Sequence, residues 1–185
     1  MEHFYQNIDG WFSYEYIYKD MVDQAEDGSL FVEIGSFKGR STAFMAVEIA
    51  NSGKNIRFDC IDPMKLTSHY IESAKNNPAE FEGYGESNFH ARLQPVKDYY
   101  NLIAMPSDEA VELYEDGSID FLLIDGDHSY EAVKRDIINW LPKMRSGGLI
   151  AGDDAYHEDI QRALHDAAGH LDPVINGIHF FITIP

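Results

Sequence analysis

Five short apolar runs, near residues 30–34, 56–61, 100–105, 119–124 and 148–152, alternate with segments of helical spacing near 39–51, 107–115, 129–141 and 157–168. A strand whose successor is reached through a helix returns in the same direction, so this alternation predicts a mostly parallel sheet with helices on its faces. The end of the chain breaks the rule. Asn176-Gly177 separates Pro173-Val-Ile175 from Ile178-His-Phe-Phe-Ile-Thr-Ile184, and an Asn-Gly pair between apolar runs predicts a tight hairpin and an antiparallel last strand. Ahead of the first strand, Tyr14, Ile17, Tyr18, Met21, Val22 and Ala25 recur at helical spacing until Asp27-Gly28, which predicts an amphipathic N-terminal segment over residues 1–27. Residues 63–99, punctuated by Asn76-Asn77-Pro78 and Gly83-Tyr-Gly85, read as a long excursion on the substrate side between the second and third strands. No boundary splits the chain, and 185 residues make a single domain, 1–185.

Charge excludes some partners. The chain carries 14 Lys+Arg against 32 Asp+Glu, a formal −18, which repels both a phosphate backbone and an anionic lipid surface. Nucleic acid and membranes are therefore not expected partners. The first residues, Met-Glu-His-Phe-Tyr-Gln, lack a basic and then apolar leader pattern, and no apolar run has the length to cross a bilayer. A soluble cytoplasmic protein is the expectation. Cys60, the single cysteine, lies in the apolar stretch Ile56–Ile61 and reads as a small core residue, with no internal disulfide possible.

The chemistry gathers where strands end. Phe31-Val-Glu33-Ile-Gly35-Ser-Phe-Lys-Gly39-Arg-Ser41 closes a strand and opens a helix, where free backbone N–H groups and the helix dipole favour an anion. The glycine spacing departs from the Gly-x-Gly-x-x-Gly dinucleotide pattern. The second strand ends in Asp62, about 20 residues on, where a carboxylate can take both ribose hydroxyls; glycines and acid together suggest a nucleoside. Ile119–Ile124 runs into Asp125-Gly-Asp127-His128-Ser-Tyr130, and Gly148–Gly152 into Asp153-Asp154. His128, with an ordinary pKa of about 6.5, is a proton acceptor suited to neutral pH, although its place just before Ser129 also suits a helix start. Asp127 either orients His128, touches a cofactor or faces water. His157 is a second candidate; His69, His90, His165 and His170 read as surface residues.

In this order, these motifs resemble the class I S-adenosylmethionine-dependent methyltransferases, a likeness that runs from about residue 28 to the end. The resemblance implies a Rossmann-like three-layer α/β sandwich with a mostly parallel seven-stranded sheet, its last strand antiparallel. It implies cofactor contacts from Glu33, Gly35, Ser36, Phe37, Gly39, Ser41, Asp62, Ser107, Asp125 and Asp127, with Ser41 near the methionine carboxylate and Ser107 on the adenine side. Within that fold the strands ending at Asp125 and at Asp153-Asp154 are neighbours, so three carboxylates converge as hard oxygen ligands for Mg²⁺ or a similar divalent cation. The pattern is similar to cation-dependent O-methyltransferases of the catechol and caffeoyl-CoA type. Those carry Asp-Asn where this chain has Asp-Asp, and lysine where it has His128. The macrocin and mycinamicin group of sugar O-methyltransferases is more similar. The implied reaction is metal-assisted methylation of a hydroxyl on a sugar, polyketide-type or aromatic small molecule, with His128 as base and Tyr16, Tyr70, Tyr84, Tyr99 and Tyr100 available to wall the acceptor. A homodimer is the default assembly. Two other readings compete: a non-catalytic nucleoside-binding module, and a nicotinamide-dependent oxidoreductase.

Overall fold

A computed structural model describes residues 1–66 and 68–185, without the side chains at 68 and 69; the surface position expected of His69 lies outside that description. In chain order the elements are α1 (Glu15–Gln24), β1 (Leu30–Ile34), α2 (Arg40–Ser52), β2 (Arg57–Ile61), α3 (Ser68–Asn76), α4 (Glu86–Arg92), β3 (Asn101–Ile103), α5 (Ser107–Ala110), β4 (Ile119–Ile124), α6 (Tyr130–Trp140), β5 (Met144–Gly152), α7 (Glu158–Ala168), β6 (Val174–Asn176) and β7 (His179–Thr183). Seven strands form one sheet in the order β3-β2-β1-β4-β5-β7-β6. The first five strands pair in parallel, while β7 runs antiparallel to both β5 and β6. The hairpin turn holds Gly177 at φ 64°, the left-handed conformation that a two-residue turn demands and glycine supplies.

Side chains alternate across the strands and so divide the core. Phe31, Phe58, Phe121 and Leu123 face α1 and α2, packing with Tyr14, Tyr18, Phe44 and Met45. Val32, Ile34, Leu122 and Ile124 face α6 and α7, packing with Val133, Ile137, Trp140, Ile160 and Leu164. Cys60 is fully buried in the first of these layers.

Three expectations are adjusted. The helix expected over 107–115 is a single α turn, α5, continued as a 3-10 turn over Val111–Leu113. β5 begins earlier than residue 148: Met144 pairs with Ile119, the register slips, and Leu149 resumes opposite Phe121. Gly147 at φ 78° and an exposed Arg145-Ser-Gly stretch hid this start from an apolar-run criterion. The 63–99 excursion, read only as a long connection, carries α3, α4 and 3-10 turns at Pro78–Phe81 and Gln94–Val96. Its second half is pinned by Phe89, Leu93 and Val96, all fully buried against Ala43 and Val47 of α2. Among the described residues no helix is long and apolar enough to cross a membrane.

Candidate active site

β1, β2, β4 and β5 end at one edge of the sheet. Leaving β1, the chain takes positive φ at Gly35 (91°), Phe37 (46°) and Gly39 (90°). A Cβ on Gly35 would stand 2.1 Å from the Asp125 carbonyl oxygen, so only glycine lets the β1 and β4 tips approach this closely. Phe37 has no such freedom, and a bulky residue in the left-handed region must be held there by its surroundings. Its N–H donates to Asp62 Oδ2 at 2.8 Å, and its ring stacks on Trp11 and Tyr84 with centroids 6.1 and 5.3 Å away.

Beneath the turn, Glu33 is fully buried and accepts the hydroxyls of Tyr18 (2.6 Å), Ser36 (2.7 Å) and Thr42 (2.5 Å). Burial raises its pKa, against the opposing pull of these hydroxyls and of Ser41. The side chains of Glu33, Ser36 and Ser41 thus brace the turn from inside the fold. Asp62, also buried, accepts Phe37 N–H, Met64 N–H (2.8 Å) and the Tyr84 hydroxyl (2.5 Å). Burial pushes its carboxyl up, and these donors together with Ser36 N–H pull it back in part.

The second half of the site lies at the tips of β4 and β5, where Ile124 pairs with Gly152. His128 stands between two carboxylates: Nε2 is 3.3 Å from Asp125 Oδ1, and Nδ1 is 3.3 Å from Asp154 Oδ2. Asp154 adopts φ 57°, with its own N–H donated to Asp153 Oδ1 at 2.8 Å; aspartate tolerates this conformation better than most residues. Burial disfavours a charged imidazole, but the hydrogen bond to Asp125 and the charges of Asp125, Asp154 and Asp153 outweigh it and hold His128 above its ordinary value. Asp127 accepts Ser129 N–H at 2.9 Å, fixing the turn that leads into α6.

The N-terminal segment closes this edge through hydroxyls. Buried Tyr14 donates to Asp125 Oδ2 at 2.8 Å, Ser13 to Asp153 Oδ2 at 3.1 Å, and Tyr16 pairs with His179 Nδ1 at 3.0 Å. His179 Nε2 is 3.5 Å from Asp153 Oδ1. Ser13, Tyr14 and His179 are members of the site that sequence patterns did not single out. The one available signal was a histidine opening an otherwise apolar strand, His179-Phe-Phe-Ile.

The acids expected to hold Mg²⁺ do converge, but their oxygens are turned to protein donors. Asp125 takes Tyr14 and His128, Asp153 takes Ser13 and its neighbour's N–H, and Asp154 faces His128. Among the described residues no group of three or more His, Cys, Asp or Glu side chains is arranged to hold a metal ion. As they lie, Asp125, Asp153 and Asp154 do not fit one. His157 is exposed and its ring lies tilted against that of Tyr156, and His90, His165 and His170 are exposed. Of the five tyrosines, Tyr70 and Tyr84 reach the cleft and Tyr16 the His179 edge, while Tyr100 bonds His90 and Tyr99 is exposed.

Ser107 begins α5, just beyond β3, and gives its hydroxyl to Asp136 Oδ1 of α6 at 2.6 Å. Burial pushes buried Asp136 up to about 6 from 3.8, against the Ser107 bond. Because the folded value exceeds the unfolded one, Asp136 binds its proton more tightly when folded, and stability falls as pH rises between those values. Two units correspond to about 3 kcal/mol at neutral pH. Asp136→Asn, which keeps an acceptor for Ser107, should raise unfolding stability at pH 7.5 by roughly 1–3 kcal/mol and lose that gain near pH 4. Urea titrations at the two pH values read this; a gain that persists at the lower pH would assign it to another cause.

A family model described as a methyltransferase domain matches residues 32–155, from β1 to just past Asp154. Among curated proteins, the chain is 32% identical over 131 residues to an uncharacterised protein of Acanthamoeba polyphaga mimivirus, covering 70% of this chain and 52% of that one. It is 35% identical over 74 residues to an uncharacterised protein of Sinorhizobium fredii, covering 38% of this chain and 8% of that one. The chain therefore spans about half of the first relative and a small part of the second. Solved structures sharing the fold include the O-methyltransferase NovP (TM-score 0.69, 13% identity, 92% of this chain and 78% of that one). An O-methyltransferase from Bacillus cereus in complex with SAH superposes with TM-score 0.60 at 13% identity, over 97% and 86% of the two chains.

Proposed function

The chain belongs to the methyltransferase-domain family, and from that premise we propose that it transfers a methyl group from S-adenosylmethionine to a hydroxyl oxygen of a small molecule such as a sugar, polyketide-type or aromatic compound, with His128 as proton acceptor. The observation that carries this reading is the placement of His128 between Asp125 and Asp154, at the same sheet edge as the Gly35 turn and Asp62. The similarity to proteins described as O-methyltransferases supports oxygen as the acceptor atom.

When bound, S-adenosylmethionine supplies a methyl on a sulfonium, an activated leaving group, so the chain's own task is alignment and proton removal. Asp62 and the backbone of the Gly35 turn bind the nucleoside end. Tyr14, through its bond to Asp125, and Ser13, through Asp153, fix the far side of the cleft. His128 takes the hydroxyl proton while the new carbon–oxygen bond forms and the carbon–sulfur pair stays on sulfur. A neutral imidazole has one N–H and can satisfy only one of its two carboxylate neighbours; an imidazolium satisfies both. The surroundings of His128 are therefore suited to the state that proton transfer creates.

The experiment is transfer from methyl-labelled S-adenosylmethionine to a panel of sugar, polyketide and catechol hydroxyl compounds, run with Mg²⁺ and with EDTA to read separately whether the acids regroup around an ion. A base-stable methyl ether is the expected product. Label appearing in an amine or a carboxyl ester, or in none of the panel while the cofactor binds, would contradict the proposal.

A further inference from the structure

Asp62 offers four lone-pair directions on its two carboxylate oxygens. Phe37 N–H occupies Oδ2, and Met64 N–H and the Tyr84 hydroxyl share Oδ1 at 2.8 and 2.5 Å; Ser36 N–H supplies a fourth donor. Asp62 is 6% exposed and its complement of donors is full. Three of those donors are backbone groups of the β1 and β2 turns and belong to the fold. The fourth, Tyr84, comes from the 63–99 excursion. A ribose hydroxyl that addresses Asp62 needs a place on the carboxylate, and the one that can be vacated without unmaking a turn is the place on Oδ1 that the tyrosine hydroxyl holds.

Tyr84 is not alone there. Its ring stacks on Phe37, with centroids 5.3 Å apart at 30°. Tyr70, from α3 of the same excursion, donates its hydroxyl to the Gly126 carbonyl at 3.0 Å, directly beyond the point where a Cβ on Gly35 would strike Gly126 Cα at 2.7 Å. Two tyrosines of one excursion thus reach the carboxylate of β2 and the carbonyl past β4, on either side of the glycine turn. Phe81, from the 3-10 turn between them, packs on both Phe37 and Tyr70.

We infer that the excursion is an internal occupant of the nucleoside cleft: Tyr84 fills the ribose-binding position on Asp62 and must be displaced for an adenosyl cofactor to seat. This rests on the cofactor reading proposed above. Cofactor affinity is then set partly by how readily the excursion lets go, and Tyr84 is the residue that governs it.

The test is calorimetric titration of the full chain with S-adenosylhomocysteine, comparing wild type with Tyr84→Phe, which keeps the ring and removes the competing hydroxyl, and with Tyr70→Phe. Tyr84→Phe is expected to bind about five- to tenfold tighter, the scale of one net hydrogen bond released from competition, and circular dichroism should show an unchanged fold. Weaker or equal binding by a folded Tyr84→Phe, with wild type binding normally, would overturn the inference and leave the cofactor site standing. If Tyr84→Phe fails to fold, Tyr70→Phe carries the same expectation in the same direction. No binding by any of the three proteins would remove the cofactor site and the occupant together.

Discussion

Replacing His128 by alanine is expected to lower methyl transfer by a factor of about 10²–10⁴, the usual worth of a positioned general base, while S-adenosylhomocysteine affinity stays within about threefold of wild type. The split follows from position. His128 touches Asp125 and Asp154 at the β4 and β5 tips, whereas the proposed nucleoside site, at Asp62 and the Gly35 turn, lies toward β1 and β2. His128→Gln serves as a control for side-chain volume: it should remain as slow as alanine, because an amide cannot take up a proton at neutral pH. A folded His128→Ala enzyme with an unchanged rate toward its acceptor would remove His128 from the reaction.

A larger effect is expected at Gly35. Its alanine Cβ would lie 2.1 Å from the Asp125 oxygen, 2.5 Å from the carbonyl carbon and 2.7 Å from Gly126 Cα, at φ 91°. All three neighbours are main chain, so no rotamer change can relieve the clash. Relief requires separating the β1 and β4 tips, which are tied by Asp125 N–H donating to the Ile34 carbonyl at 2.9 Å, while Gly35 N–H holds the other side of the turn to the Ile61 carbonyl of β2 at 2.9 Å. The loss should exceed about 4 kcal/mol, among the largest single-site values, and the residual folded protein should bind S-adenosylhomocysteine at least 100-fold more weakly. Gly28 provides the comparison, since it has φ 93° and nothing within 4 Å of an added Cβ. Gly28→Ala should cost only the backbone strain of about 1–2 kcal/mol. Equal losses at the two glycines would show that close packing of the strand tips is not what Gly35 provides.

Much of this architecture was legible because it depends on local patterns. Apolar runs ending in glycine or acid marked β1, β2, β4 and β5, and Asn176-Gly177 marked the hairpin that places β7 beside β5. The meeting of Asp125, His128 and Asp154 followed from two strands ending at adjacent tips. What sequence could not show is contact between distant segments. Tyr14 and Tyr18 were readable as the inner face of a helix, but not that their hydroxyls reach Asp125 and Glu33. Nothing in residues 13–16 points to Asp153 or His179, well over a hundred positions away. Tyr84 read as available to wall an acceptor; that its hydroxyl reaches Asp62 depends on how the excursion folds back. The metal expectation rested on acids meeting at neighbouring strand tips, and the donors those acids accept in the fold come from Ser13, Tyr14 and His128.

We propose that the turn at Gly35 and the carboxylate of Asp62 form a site for an adenosyl cofactor beside His128. Calorimetric titration of the purified chain with S-adenosylhomocysteine, and in parallel with NAD⁺, tests it most directly. The predicted result is saturable binding of one S-adenosylhomocysteine per chain with no heat from NAD⁺; binding of NAD⁺, or of neither ligand, would contradict it.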